Sequence, residues 1–246
     1  MKSKALVRFL NRAARFEVDL ELVDVLELAM SGCRLSDTSR PVVFAYVEPA
    51  KHPRLALHKA TDHQHQLLMA HLKATLRSAY IKDLYEDFGA FLLDIVTAAA
   101  RAGLQPGRLI GEHKFEIDAN EILACTSWAS VVEMVSARLF RRIEVERNTM
   151  KLLVSIDKKL GLGVDQKLIH AAMPYLELRH LLVHQDGTPD RDFCKRHPTL
   201  KAKIGKKIQL TDALTSAARD SITSLANSYD RLAVRANLLG HTDLQP

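Results

Sequence analysis

Apolar positions recur along most of this chain at intervals of three and four, the spacing that places side chains on one face of an α-helix. The longest such run lies between about Thr61 and Ala102, where Leu68, Leu72, Leu76, Tyr80, Leu84, Phe88, Phe91 and Ile95 step by four or three residues. Gly89 offers a kink within it, and Gly103, Pro106 and Gly107 stop it. An earlier helical run covers about 4–30 and ends at Ser31-Gly32. Asp118 followed by Glu121 forms a capping arrangement, which predicts a helix running through Trp128, Val132, Val135 and Leu139. A further helix is expected over about 144–160, stopped by Gly161-Leu162-Gly163. Asp165 caps the next one, in which Pro174 imposes either a kink or a restart before Tyr175 to His184. Thr211 caps a last helix whose apolar face is Leu214, Ala218, Ile222, Leu225, Tyr229 and Leu232. The strand candidate is 41–47, PVVFAYV, bounded by Pro41 and Pro49. The expected fold is an all-α helical bundle with a small β element near the N-terminus.

Composition narrows this picture. The 246 residues suit one large domain or two small ones, and 47% hydrophobic with 26% charged residues exclude wholesale disorder, collagen and coiled-coil rods. No stretch approaches the ~20 uninterrupted apolar residues of a membrane span. Arg8, Arg12 and Arg15 interrupt any secretory core segment. Cys33, Cys125 and Cys194 are odd in number and contain no CxxC pair, so reduced thiols in a cytoplasmic, membrane-free setting are expected.

Charge is informative because it is local. The net charge is +6, and the segment Arg191–Lys207 carries seven Lys or Arg against one acid, an excess as large as that of the whole chain. A confined basic patch points to a polyanion such as nucleic acid, with a solvated loop as the plain alternative. No Walker loop, GxGxxG, GxSxG or HExxH signature is present.

Histidine is plentiful, with eleven copies. His52, His58, His63, His65 and His71 lie in a polar stretch and read as exposed helical residues. The sharper group is Arg179-His180-Leu181-Leu182-Val183-His184, followed by Gln185-Asp186-Gly187. His180 and His184 are four apart, a spacing metals use, but third and fourth ligands are missing from the pattern. Helix-end residues facing the C-terminal dipole are a second reading. The third is phosphoryl-transfer chemistry, which needs a fixed cation and an imidazole that exchanges protons near neutrality.

These six residues resemble the Arg, polar residue, three residues, His signature of the HEPN superfamily (higher eukaryotes and prokaryotes nucleotide-binding domains). The context from Leu178 to Phe193 is similar too: a motif near a helix end, a glycine turn, then Asp and an aromatic residue. Tyr80, Phe88 and Trp128 on the preceding helices also fit, whereas Gln185 stands where many members carry Asn. The resemblance places a HEPN-like helical domain at 58–246 and leaves 1–57 as an N-terminal extension of helix and strand, either an interaction module or part of the same bundle. It implies a homodimer with a composite active site. The implied activity is a metal-independent endoribonuclease, in a toxin–antitoxin or phage-defence role with an antitoxin or defence-system partner. It implies no cofactor and no metal. Other members of the superfamily are inactive modules that bind nucleotide or a partner protein, and that is the alternative.

In the active reading, His184 moves the proton of the 2′-hydroxyl or of the departing 5′-oxygen, and Arg179 balances the charge on phosphorus. His180 orients or hydrogen-bonds. The products would be a 2′,3′-cyclic phosphate and a 5′-hydroxyl. Lys195, Arg196, Lys201, Lys203, Lys206 and Lys207 would hold the RNA backbone. On an ideal helix Arg179 and His184 lie about 140° apart, so the motif must be completed by distortion at the helix end or by a second copy.

Overall fold

Thr61 starts the longest helix by accepting the backbone N–H of Gln64 on its hydroxyl, which satisfies one of the donors a helix N-terminus leaves open. The helix it opens, α2, runs from Asp62 to Arg101 without a break at Gly89. Gly103 ends it in the left-handed region at φ +94°. The computed structural model describes residues 1–31, 44, 46–110, 116–144 and 149–245. Around α2 are arranged α1 (Lys4–Ser31), α5 (Trp128–Glu144), α6 (Thr149–Leu160), α7 (Gln166–His184) and α9 (Asp212–Arg235). Shorter helices α3 (Pro106–Ile110), α4 (Ala119–Leu123) and α8 (Arg191–Arg196) fill the connections. The fold is all-α.

The β element is two residues long on each side. Lys2–Ser3 (β1) pairs antiparallel with Leu244–Gln245 (β2), in the register Lys2 with Gln245 and Ser3 with Leu244. Most of the 41–47 strand candidate lies outside the described residues, and Phe44 and Tyr46 are helical in conformation.

The core follows the predicted faces where helices meet. Tyr80, Leu84, Phe88, Phe91 and Ile95 of α2 are all buried, while Leu72 on the same stripe is exposed although His65 and Met69 nearby are buried. Leu6, Phe9 and Ala13 of α1 share one buried cluster with α2, α7 and α9, and the Phe9 ring lies 6.2 Å from Phe88 and 6.1 Å from Phe91. Farther along α1, Val18, Leu22 and Val25 are exposed. Tyr229 of α9 is fully buried and donates its hydroxyl to the carbonyl of Leu153 on α6 at 3.0 Å, and burial raises its pKa further. Arg77 of α2 holds the start of α9 through the Leu210 carbonyl and the Asp212 carboxylate.

One predicted helix is two. Asp118 caps only Ala119–Leu123, and the chain breaks before Trp128. Ser127 accounts for the restart, because its hydroxyl accepts the N–H of Ser130 at 3.2 Å and serves as a fresh N-terminal cap. Pro174, in contrast, neither ends nor restarts α7, which is continuous through it. Asp165 and Thr211 cap α7 and α9 as the sequence predicts.

Candidate active site

Helix α7 delivers the motif to an open cleft. Its inner face, including Ile169, Ala172, Leu176, Leu178 and Leu181, is buried, which fixes the helix and leaves Arg179 half-buried and His180 and His184 exposed. The helix then closes with the N–H groups of Gln185 and Gly187 both on the Leu181 carbonyl, and Asp186 and Gly187 take positive φ. Gly187 is needed here: at φ +75° its position also faces Leu182 and Lys207 side chains.

Arg179, His180 and His184 all line one cleft of about 870 Å³, whose other walls include Tyr85, Glu177, Asp190 and Arg196. Arg179 and His184 remain about 140° apart around α7 while lining the same cleft, and the ring contact within the motif joins His180 to His184. The His180 and His184 rings have centroids 4.5 Å apart and are tilted by 49°. Arg179 donates from Nη2 to Glu86 Oε1 at 2.5 Å, and its guanidinium lies 4.9 Å from the centre of the Tyr85 ring. Its Nε is buried with no hydrogen-bond partner. The guanidinium is thus oriented by α2 from two sides, with one donor unused.

A second set of residues completes the wall. Glu177 Oε2 accepts from Arg196 and lies 2.8 Å from Nε2 of the buried His197, whose ring packs edge-on against Phe193 at 4.9 Å. Tyr85, Glu86, Glu177 and His197 are absent from the sequence-based site. Glu177 had a signal: with His180 and His184 it forms an i, i+3, i+7 series on one helical face. Glu86 had none, since it is 93 positions from Arg179.

The basic segment is brought to the same end of the molecule. After α8 and a 3-10 turn at Pro198–Leu200, the loop to Leu210 is pinned by Gly205 N–H on the Pro189 carbonyl and Ile208 N–H on the Gly187 carbonyl. Lys195, Lys201, Lys203 and Lys206 are exposed and make no ion pair among the described residues. The other two predicted contacts are engaged: Arg196 with Glu177, and Lys207 Nζ with Asp186 Oδ1 at 2.7 Å.

No protein-family model, curated protein or solved structure matches the chain. The early histidines do not converge. His52, His58, His63 and His71 are exposed as expected, although His52 and His58 precede α2 and are not helical, and His65 is buried with Nε2 unpaired. Among the described residues no group of three or more His, Cys, Asp or Glu forms a metal site. Cys125 and Cys194 are free thiols, and Cys33 lies outside the described residues. No described helix is long and apolar enough to cross a membrane.

Proposed function

We propose that this protein is a metal-independent endoribonuclease of the HEPN type. The observation that carries the reading is the meeting of Arg179, His180 and His184 in one cleft beside a lysine-rich loop. RNA supplies its own nucleophile. His184 accepts the 2′-hydroxyl proton, the 2′-oxygen bonds to phosphorus, the bond from phosphorus to the 5′-oxygen breaks, and that oxygen takes a proton from solvent, to which His184 then returns the one it accepted. Arg179 exchanges Glu86 for the phosphate oxygens as negative charge builds there. His180, in ring contact with His184, orients the reacting imidazole. Lys195, Lys201, Lys203 and Lys206 supply sequence-neutral backbone contacts. A homodimer with two facing motifs, a toxin or phage-defence role with a neutralising partner, and a cytoplasmic location belong to the same proposal.

The alternative is an inactive HEPN-like module that binds nucleotide or protein. It is favoured by one observation, the engagement of Arg179 by Glu86. Incubation of labelled RNA with the protein in EDTA separates the two. The ribonuclease reading expects cleavage to cyclic-phosphate ends, and a loss of at least ~100-fold in His184→Ala and in Arg179→Ala. No cleavage by wild type leaves the binding module. Wild-type activity in both variants removes the motif from the mechanism.

A further inference from the structure

We infer that His180 and His184 form a bidentate site for a divalent transition ion of the Ni²⁺, Cu²⁺ or Zn²⁺ class, whose occupancy blocks the cleft. Imidazole nitrogen is a preferred ligand for these borderline ions. Both rings are exposed, one turn apart on a helix whose backbone is held by a buried inner face. With a nitrogen about 2.0–2.1 Å from an ion, a ring centroid lies about 3.2 Å from it, so centroids 4.5 Å apart correspond to a ligand angle of about 90°. That is the angle between adjacent positions of a square-planar or octahedral ion. Histidine χ2 is a soft torsion, so turning a nitrogen of each ring to the ion leaves the helix in place.

The lysine-rich loop beside the cleft works against a cation, whereas the arginines that line the cleft among the described residues do not add to it. The two arginines of the cleft are both compensated, Arg179 by Glu86 and Arg196 by Glu177. Asp190 lines the same cleft as an additional carboxylate. Two protein ligands leave the remaining positions to water or to a phosphate oxygen, so this is an exchangeable site rather than a folding site. Once one imidazole holds the ion, the second binds intramolecularly, which strengthens binding on the order of 100-fold over a single histidine. The bound ion occupies the lone pairs that proton transfer needs. That inhibitory consequence rests on the ribonuclease reading; the binding site does not.

The experiment is calorimetric titration of the intact protein with NiCl₂, compared with His180→Ala, His184→Ala and the double variant, joined by RNA cleavage with and without Ni²⁺. Both side chains are exposed, and unchanged circular dichroism and melting confirm that the variants fold. The expected result is one site in wild type that weakens on the order of 100-fold in either single variant and is absent from the double variant. Wild type and double variant binding Ni²⁺ equally overturns the inference, since the remaining histidines then account for all binding. Cleavage that Ni²⁺ does not inhibit at saturation removes the blocking role. If the His-dependent site is present while RNA is never cleaved, the metal site stands and the ribonuclease reading alone falls.

Discussion

Replacing Glu86 by Gln tests whether the arginine of the motif is held in reserve. In the structure Glu86 Oε1 accepts from Arg179 Nη2 at 2.5 Å, with the carboxylate side chain 57% exposed and the arginine 28%. An ion pair this open to solvent contributes about 0.2–1 kcal/mol. A scissile phosphate must overcome that contribution to recruit the guanidinium, so removing the carboxylate raises kcat/KM by up to about fivefold. The increase is modest for a second reason. Asp83 and Asp87 stand within one turn of Glu86 on α2, so the neighbourhood keeps carboxylates when Glu86 is neutralised. Single-turnover cleavage of labelled RNA in EDTA at fixed salt measures the change. The effect should vanish in the Arg179→Ala background, because no guanidinium is left to release. A tenfold fall in Glu86→Gln would refute the argument and make Glu86 an indispensable positioning group. An equal change with and without Arg179 would show that the pair does not control the arginine.

Other expectations follow from single contacts. Changing Lys201, Lys203 and Lys206 together to Ala should weaken RNA binding and flatten the slope of log affinity against log salt by about 2, read by fluorescence anisotropy. Tyr229→Phe should lower stability by about 1 kcal/mol in urea titration, because the buried hydrogen bond to the Leu153 carbonyl is lost without opening a cavity. Gly187→Ala should cost about 1–2 kcal/mol through its positive φ and loosen the basic loop, with weaker RNA binding at low salt. Asp230 is buried, accepts the Ser3 N–H, and has a pKa raised chiefly by burial, against the opposing influence of Ser3, Lys2 and the N-terminus. A raised carboxyl pKa costs the folded state as pH climbs through it, and costs nothing once both states are protonated. Asp230→Asn should therefore gain thermal stability relative to wild type between about pH 4 and pH 7, with the difference shrinking toward low pH.

Periodicity made the long helices legible because burial on α2, α7 and α9 follows one stripe each, and caps such as Thr61, Asp165 and Thr211 are local chemistry. The same reasoning merged α4 with α5, since Ser127 competes for the chain with a cap of its own and a continuous apolar face does not record that competition. It also read His65 as exposed, where tertiary packing buries it. At the candidate site the motif was readable, being contiguous, while its partners were not. Glu86 meets Arg179 only because α2 packs along α7, and His197 reaches Glu177 only because α8 folds back. Arg196 and Lys207 counted as free cations in the sequence, and the fold supplies each with a carboxylate.

The unequal covering of α2 has a kinetic meaning. At 1.5 Å per residue this helix is about 60 Å long. Its second half is enclosed from Tyr80 to Ala99, whereas burial in the stretch before Tyr80 is sparse, with His65 and Met69 buried and Leu67 and Leu72 exposed. Such a rod does not open all at once: amides near Gln66 should exchange with solvent through a local opening, while those near Phe91 wait for global unfolding. Glu86 stands on the slow side of that gradient, so the end of α2 can fray and re-form many times without releasing its hold on Arg179.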